Sequence, residues 1–141
     1  MKKRLTIVLV ATTAHTINAF MLNNIKKLSK HYNLLIFCNN VLTLKKLLPE
    51  DVLLYDINFK RKPNLIIDLI TFLKLLWLLI KNKPHLTISI SPKAGFITAI
   101  SSFISRVPHR IHWFTGQVWV KKKGFIRKFY KFLDHIISPE W

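Results

Sequence analysis

A histidine, three aromatic rings, a threonine, a glycine and a glutamine fall within eight consecutive residues, His112-Trp-Phe-Thr-Gly-Gln-Val-Trp119. Aromatic faces stack on the C–H faces of sugars, amide and hydroxyl groups bond sugar hydroxyls, and an imidazole can meet a phosphate or hydroxyl beside a reacting carbon. The segment therefore carries the chemistry of a saccharide site, although a single histidine at a strand end is often only structural. Upstream, Ser91-Pro-Lys-Ala-Gly95 places a hydroxyl, a cation and a glycine where a helix should begin. Free backbone N–H groups and the helix dipole there favour an anion such as phosphate. The plainer alternative is that Pro92 and Gly95 shape a turn and Lys93 is solvated. A third polar cluster, Thr12, Thr13 and His15, suits either a ligand contact or helix capping. No G-x-G-x-x-G accompanies it, which argues against a dinucleotide bound in the usual way.

The bulk properties narrow the partners. In 141 residues, 23 Lys and Arg face 6 Asp and Glu, a formal net charge of +17. That charge exceeds what solubility needs and implies an anionic partner. Nucleic acid and an anionic bilayer both qualify, but the mean hydropathy of +0.25 favours the bilayer. The run from Lys121 to Lys131 concentrates the pattern: Lys121, Lys122, Lys123, Arg127, Lys128 and Lys131 alternate with Phe125, Ile126, Phe129 and Tyr130. A helix there would set an apolar stripe beside a cationic one suited to a membrane surface, or would pack its rings on a sheet and leave the lysines solvated. Helix-turn-helix, ribonucleoprotein and zinc signatures are missing, so no nucleic acid is expected, and a basic nucleic-acid-binding module is the weaker alternative.

The lone cysteine, Cys38, follows Leu34 to Phe37 and reads as the end of a core strand, in keeping with a reducing cytoplasm. Leu5 to Ala11 is too short for a convincing signal peptide and reads as a first strand. The longest apolar segment, Leu65 to Ile80, contains Asp68 and Lys74 and falls short of the roughly 20 apolar residues that span a bilayer. Asp68, Thr71 and Lys74 form one polar stripe at helical spacing, which predicts a helix either nearly buried or resting on lipid.

Apolar runs suited to buried strands alternate with helical periodicity along the chain. Strands are predicted at Leu5–Val10, Leu34–Phe37, Val52–Tyr55, Leu86–Ile90 and Arg110–Trp113, with a sixth beginning at His135–Ile137. Helices are predicted from Thr16, as N-cap, to about Tyr32, at Thr43–Leu48, Leu65–Lys81, Phe96–Ser105 and Phe125–Leu133. The expected fold is α/β: one Rossmann-like domain with an about six-stranded parallel sheet covered by helices on both faces.

Ser91 to Gly95, Arg110 to Trp119, Lys123-Gly124 and Asp134, in this order and spacing, resemble the amino-terminal domain of family 4 glycosyltransferases of the GT-B fold, which build capsule, O-antigen and other bacterial surface polysaccharides. The resemblance covers roughly the second half of the chain. It implies two Rossmann-like domains across a cleft, the first for the acceptor and the second for the nucleotide-sugar, with retention of configuration, no metal and no cofactor. It gives His112 the place of a catalytic histidine directed at the transferred sugar. Lys93, Gly95, Thr115, Gly116, Gln117 and Trp119 would bind the acceptor; apart from the resemblance, Thr13 and His15 stand as candidate contacts from the first loop, with helix capping as the alternative. Where many relatives carry a glycine pair, this chain has Thr12-Thr13-Ala14.

Residues 1–141 are thus expected to form an acceptor-side domain, truncated at its carboxyl end and without a donor domain. Such a chain would be inactive alone and would meet a nucleotide-sugar only with a second domain or subunit. Its expected partners are a lipid-linked saccharide and the anionic inner face of the plasma membrane, where it would sit peripherally in the cytoplasm. The alternative within this fold is a membrane-anchoring, non-catalytic subunit that recruits a separate donor-binding polypeptide.

Overall fold

The computed structural model describes residues 3–60, 62–113 and 123–137. Its centre is β1 (Thr6–Thr13), flanked by β2 (Asn33–Asn39) and β4 (Leu86–Ile90), with β3 (Leu53–Asp56) and β5 (His109–Trp113) at the edges. The order is β3-β2-β1-β4-β5 and every pairing is parallel. Successive side chains on a strand point to opposite faces, so an unbroken apolar run fills both. Ile7, Leu9 and Ala11 of β1 join Leu34, Ile36 and Cys38 in one core. Val8 and Val10 join Leu35 and Phe37 in the other.

Two helical layers close these cores. On one side lie α1 (Ala14–Phe20), α2 (Leu22–Leu28) and a single 3-10 turn, Val41–Leu44. On the other lie α3 (Leu65–Asn82) and α4 (Pro92–Ile104), with α5 (Gly124–Ile137) against α4.

The predicted α/β class and the parallel sheet are present, with several local corrections. The helix after β1 breaks at Met21 into two short pieces, and its cap is Thr13, whose side chain accepts from the Thr16 N–H, because β1 runs on to Thr13. Thr43–Leu48 forms no α-helix beyond the 3-10 turn and following turns. His135–Ile137 is helical, so the described sheet has five strands, not six. Two isoleucines favour a strand by composition, yet Ile136 continues the four-three-four spacing of Phe125, Phe129 and Phe132.

α3 has its polar stripe turned inward. Thr71 is buried and donates to the Asn58 carbonyl at 2.9 Å, and the Lys74 ammonium donates to the Asp56 carbonyl at 2.7 Å. These bonds satisfy the loop leaving β3, whose carbonyls would otherwise lie unpaired beside the core. Leu75, Leu78 and Leu79 supply the apolar seal, leaving the rest of the helix's apolar residues on the outside. In urea denaturation, Leu75→Ala is expected to cost about 2–5 kcal/mol. Leu73→Ala, two residues away on the exposed side, is expected to change stability by less than about 0.5 kcal/mol.

Candidate functional site

In an open parallel sheet, ligands gather beyond the carboxyl ends of the strands where the order reverses, here between β1 and β4. The loops leaving these strands are tied together. Thr12 Oγ1 and Ser91 Oγ share a hydrogen bond at 2.6 Å, and the Thr12 N–H donates to the same serine oxygen at 3.3 Å. Ser91 also donates to the Ile90 carbonyl. Its backbone has φ 77° and ψ 145°, a region where a residue other than glycine carries about 1–3 kcal/mol of strain. The side-chain bond to Thr12 holds it there.

At the start of α4, Pro92 takes the first turn and the Gly95 N–H donates to the Ser91 carbonyl at 2.9 Å. Lys93 turns away from that helix end. Its ammonium lies 2.7 Å from Asp68 Oδ1 and donates to the Lys60 and Lys62 carbonyls, the latter at 3.1 Å. Asp68 in turn accepts from the Asn64 N–H at 3.1 Å through Oδ2. The expected anion-binding lysine thus knots the basic loop and the start of α3 to the start of α4.

His112 stands on β5 opposite Ser89 of β4. Its Nδ1 lies 2.8 Å from Ser89 Oγ. The ring shares a small cavity of about 20 Å3 with Gly95, Thr98 and Ala99 on the α4 side of the sheet. Thr98 is buried there, and its hydroxyl has no hydrogen-bond partner among the described residues. Burial pushes the His112 pKa down to about 4, so the ring is neutral at physiological pH. Ser89 Oγ makes no other hydrogen bond among the described residues. Either atom can be the donor, depending on the ring's tautomer. The result is a neutral imidazole held against β4 by its bond to Ser89.

The remaining expected site residues separate. Thr13 caps α1 through the Thr16 N–H at 3.4 Å, the capping alternative, while His15 is exposed on α1. Gly95 is buried beside His112. Lys123 is exposed just before α5, and Arg127, Lys128 and Lys131 are exposed on it. Thr115, Gly116, Gln117, Trp119, Lys121 and Lys122 lie outside the described residues. A groove of about 540 Å3 on the α2 side of β5 is lined by Met21, Lys27, Ile111 and Trp113. A wider one of about 600 Å3, lined by Leu5, His85, Pro108 and His109, opens at the amino ends of the strands, away from the switch point. Sequence reasoning missed Ser89 as the partner of His112. Its signal was the alternation of Thr87 and Ser89 with Leu86, Ile88 and Ile90, which marks one polar inward face.

The fold is that of a Rossmann-like domain similar to those of GT-B proteins. Its sequence is glycosyltransferase-like: it is 37% identical over 76 residues to the capsular polysaccharide biosynthesis glycosyltransferase CapM of Staphylococcus aureus, covering 54% of this chain and 20% of that protein. A Listeria monocytogenes protein assigned as a UDP-N-acetylglucosamine 2-epimerase superposes with a TM-score of 0.68 at 12% identity, covering 96% of this chain and 37% of that one. MurG of Acinetobacter baumannii gives 0.60 at 13% identity, covering 92% and 39%. The chain therefore spans well under half the length of these relatives. No protein-family profile matches it.

The depressed histidine has a consequence for stability. Folded His112 takes a proton only near pH 4, against 6.5 for an unperturbed ring. The unfolded chain therefore protonates first as pH falls, and native stability should decrease from about pH 6.5 to about pH 4, then level off. Urea titrations of His112→Gln should lose that slope. Independently, nitrogen-15 NMR of the imidazole should show one dominant tautomer, selected by the bond to Ser89, and Ser89→Ala should mix the two.

Proposed function

We propose that this chain is the acceptor-side domain of a retaining, metal-independent glycosyltransferase of bacterial surface-polysaccharide synthesis, of the capsule or O-antigen kind. The observation that carries the reading is the oriented, neutral His112 beside the start of α4, at the switch-point edge of a chain related in sequence to a capsular glycosyltransferase. A transferring sugar develops positive charge at its anomeric carbon. A neutral imidazole hydrogen-bonds a sugar hydroxyl or phosphate oxygen near that centre without adding a like charge. Thr115, Gly116, Gln117 and Trp119 follow β5 directly in sequence and are assigned to the acceptor's hydroxyls and ring faces.

The nucleotide-sugar is assigned to a second Rossmann-like domain, whether continuous with this chain or on a separate polypeptide. Lys93, engaged by Asp68 and two carbonyls, acts in this reading by shaping the helix start rather than by touching phosphate. A lipid-linked acceptor brings the domain to the cytoplasmic membrane face, where Lys121, Lys122, Lys123, Arg127, Lys128 and Lys131 meet anionic headgroups. Each cation near such a surface contributes about 1 kcal/mol.

The test uses a polyprenyl-diphosphate-linked N-acetylhexosamine as acceptor probe with a set of nucleotide-sugars. The chain alone is expected to transfer no sugar, while the acceptor probe shifts the His112 imidazole resonances and the shift is lost in Gln117→Ala. Turnover by the isolated chain would contradict the assignment of the donor to a second domain. Resonances indifferent to every saccharide would overturn the acceptor reading.

A further inference from the structure

Seven large apolar side chains stand outward on α3: Leu65, Ile66, Leu69, Ile70, Leu73, Trp77 and Ile80, each more than half exposed, with Leu65 at 91%. At 3.6 residues per turn they occupy one continuous arc of about 140°. Together they leave several hundred Å2 of apolar surface, at or above the ~300–600 Å2 of the largest patch on a typical soluble monomer. The helix is not a spanning one, since among the described residues no helix is long and apolar enough to cross a membrane.

The arc has a cationic flank. Lys81 borders it, and its ammonium sits 5.0 Å from the centroid of the Trp77 ring. An indole at the margin of an apolar face, with a long-stemmed cation above it, suits the boundary between acyl chains and headgroups, where tryptophan anchors and lysine reaches toward phosphate. The same layer carries exposed Phe125, Phe129 and Phe132 on α5, interspersed with exposed Arg127, Lys128 and Lys131. A twofold pairing of two copies through α3 would press two cationic flanks together in a protein already at +17. An anionic bilayer neutralises them instead.

We propose that the outer face of α3 inserts into the interfacial region of an anionic bilayer and lies in its plane, with the α3–α4–α5 layer toward lipid. The inward turn of Asp68, Thr71 and Lys74 makes this possible, because the helix gives its polar groups to the protein and its apolar groups to the outside. The orientation also places the site. α3 begins beyond the carboxyl end of β3, so its most exposed residues, Leu65 and Ile66, stand at the same edge of the sheet as the loops after β1 and β4. A lipid-linked acceptor held in the membrane would then present its headgroup beside that edge, a consequence that rests on the acceptor reading above. The insertion itself does not.

The experiment is co-sedimentation of the full chain with phosphatidylcholine vesicles, with and without phosphatidylglycerol, and no saccharide present. Wild type is expected to bind the anionic vesicles, and Ile70→Glu combined with Leu73→Glu to lower partitioning by at least about tenfold with an unchanged thermal melt. Brominated acyl chains should quench the indole fluorescence of wild type, and Trp77→Phe should remove the quenched component, so the proposal stays testable should the double variant unfold. Binding that the glutamates leave intact, with no acyl-chain quenching, would assign attachment to surface charge alone and overturn insertion. So would a wild-type dimer that the double variant dissociates without either binding vesicles, or retention on oligonucleotides with no vesicle binding. Because no sugar takes part, a failure here leaves the acceptor assignment standing, and loss of saccharide binding leaves the bilayer contact standing.

Discussion

Strand β1 has almost no solvent face. Val8, Leu9, Val10 and Ala11 are fully buried, and β2 and β4 take up the backbone groups on both edges. An apolar strand in that position requires a layer of helices on each side; the chain steps outward from β1 to β2 and β3, then crosses back through α3 to set β4 on the other edge of β1. The reversal of chain direction across the sheet follows from it, and with it the crevice at the carboxyl ends of β1 and β4. The candidate site sits where it does because β1 is central.

What happens at that edge depends on a few polar ties with long sequence separation. Thr12 meets Ser91, Ser89 meets His112, and Lys93 meets Asp68 and the carbonyls of the basic loop. Each joins the ends of neighbouring elements, so the edge behaves as one braced surface. The same ties decide chemistry. Lys93 becomes a brace, and His112, kept neutral by burial, is bonded to a strand neighbour. Cys38, the other group with a large shift, is pushed up to about 12 by burial and the nearby Asp56 carboxylate. At the end of a core strand it is an inert apolar filler.

The composition of α3 makes sense through the same bracing. A helix beside a sheet ordinarily turns its apolar side inward. Here the loop leaving β3 needs hydrogen-bond partners, and Asp68, Thr71 and Lys74 provide or relay them. Only a narrow apolar seam of Leu75, Leu78 and Leu79 is needed against the core, and the remaining apolar arc is left facing outward.

Much of this was legible in the residues alone. Continuous β-branched runs such as Leu5 to Val10 and Leu86 to Ile90 announce two-faced burial, and Pro84 and Pro108 mark where helices give way to strands, because these preferences act over a few neighbouring residues. Sequence alone could not say that His135–Ile137 continues a helix, that Lys93 serves Asp68, that Ser89 faces His112, or which side of α3 meets water. Ser89 and His112 are 23 residues apart, and Lys93 Nζ and the Lys60 carbonyl are separated by 33. Such pairs exist only once the sheet register brings them together, so local pattern determined most of the elements, while tertiary packing decided which groups meet and which stay exposed.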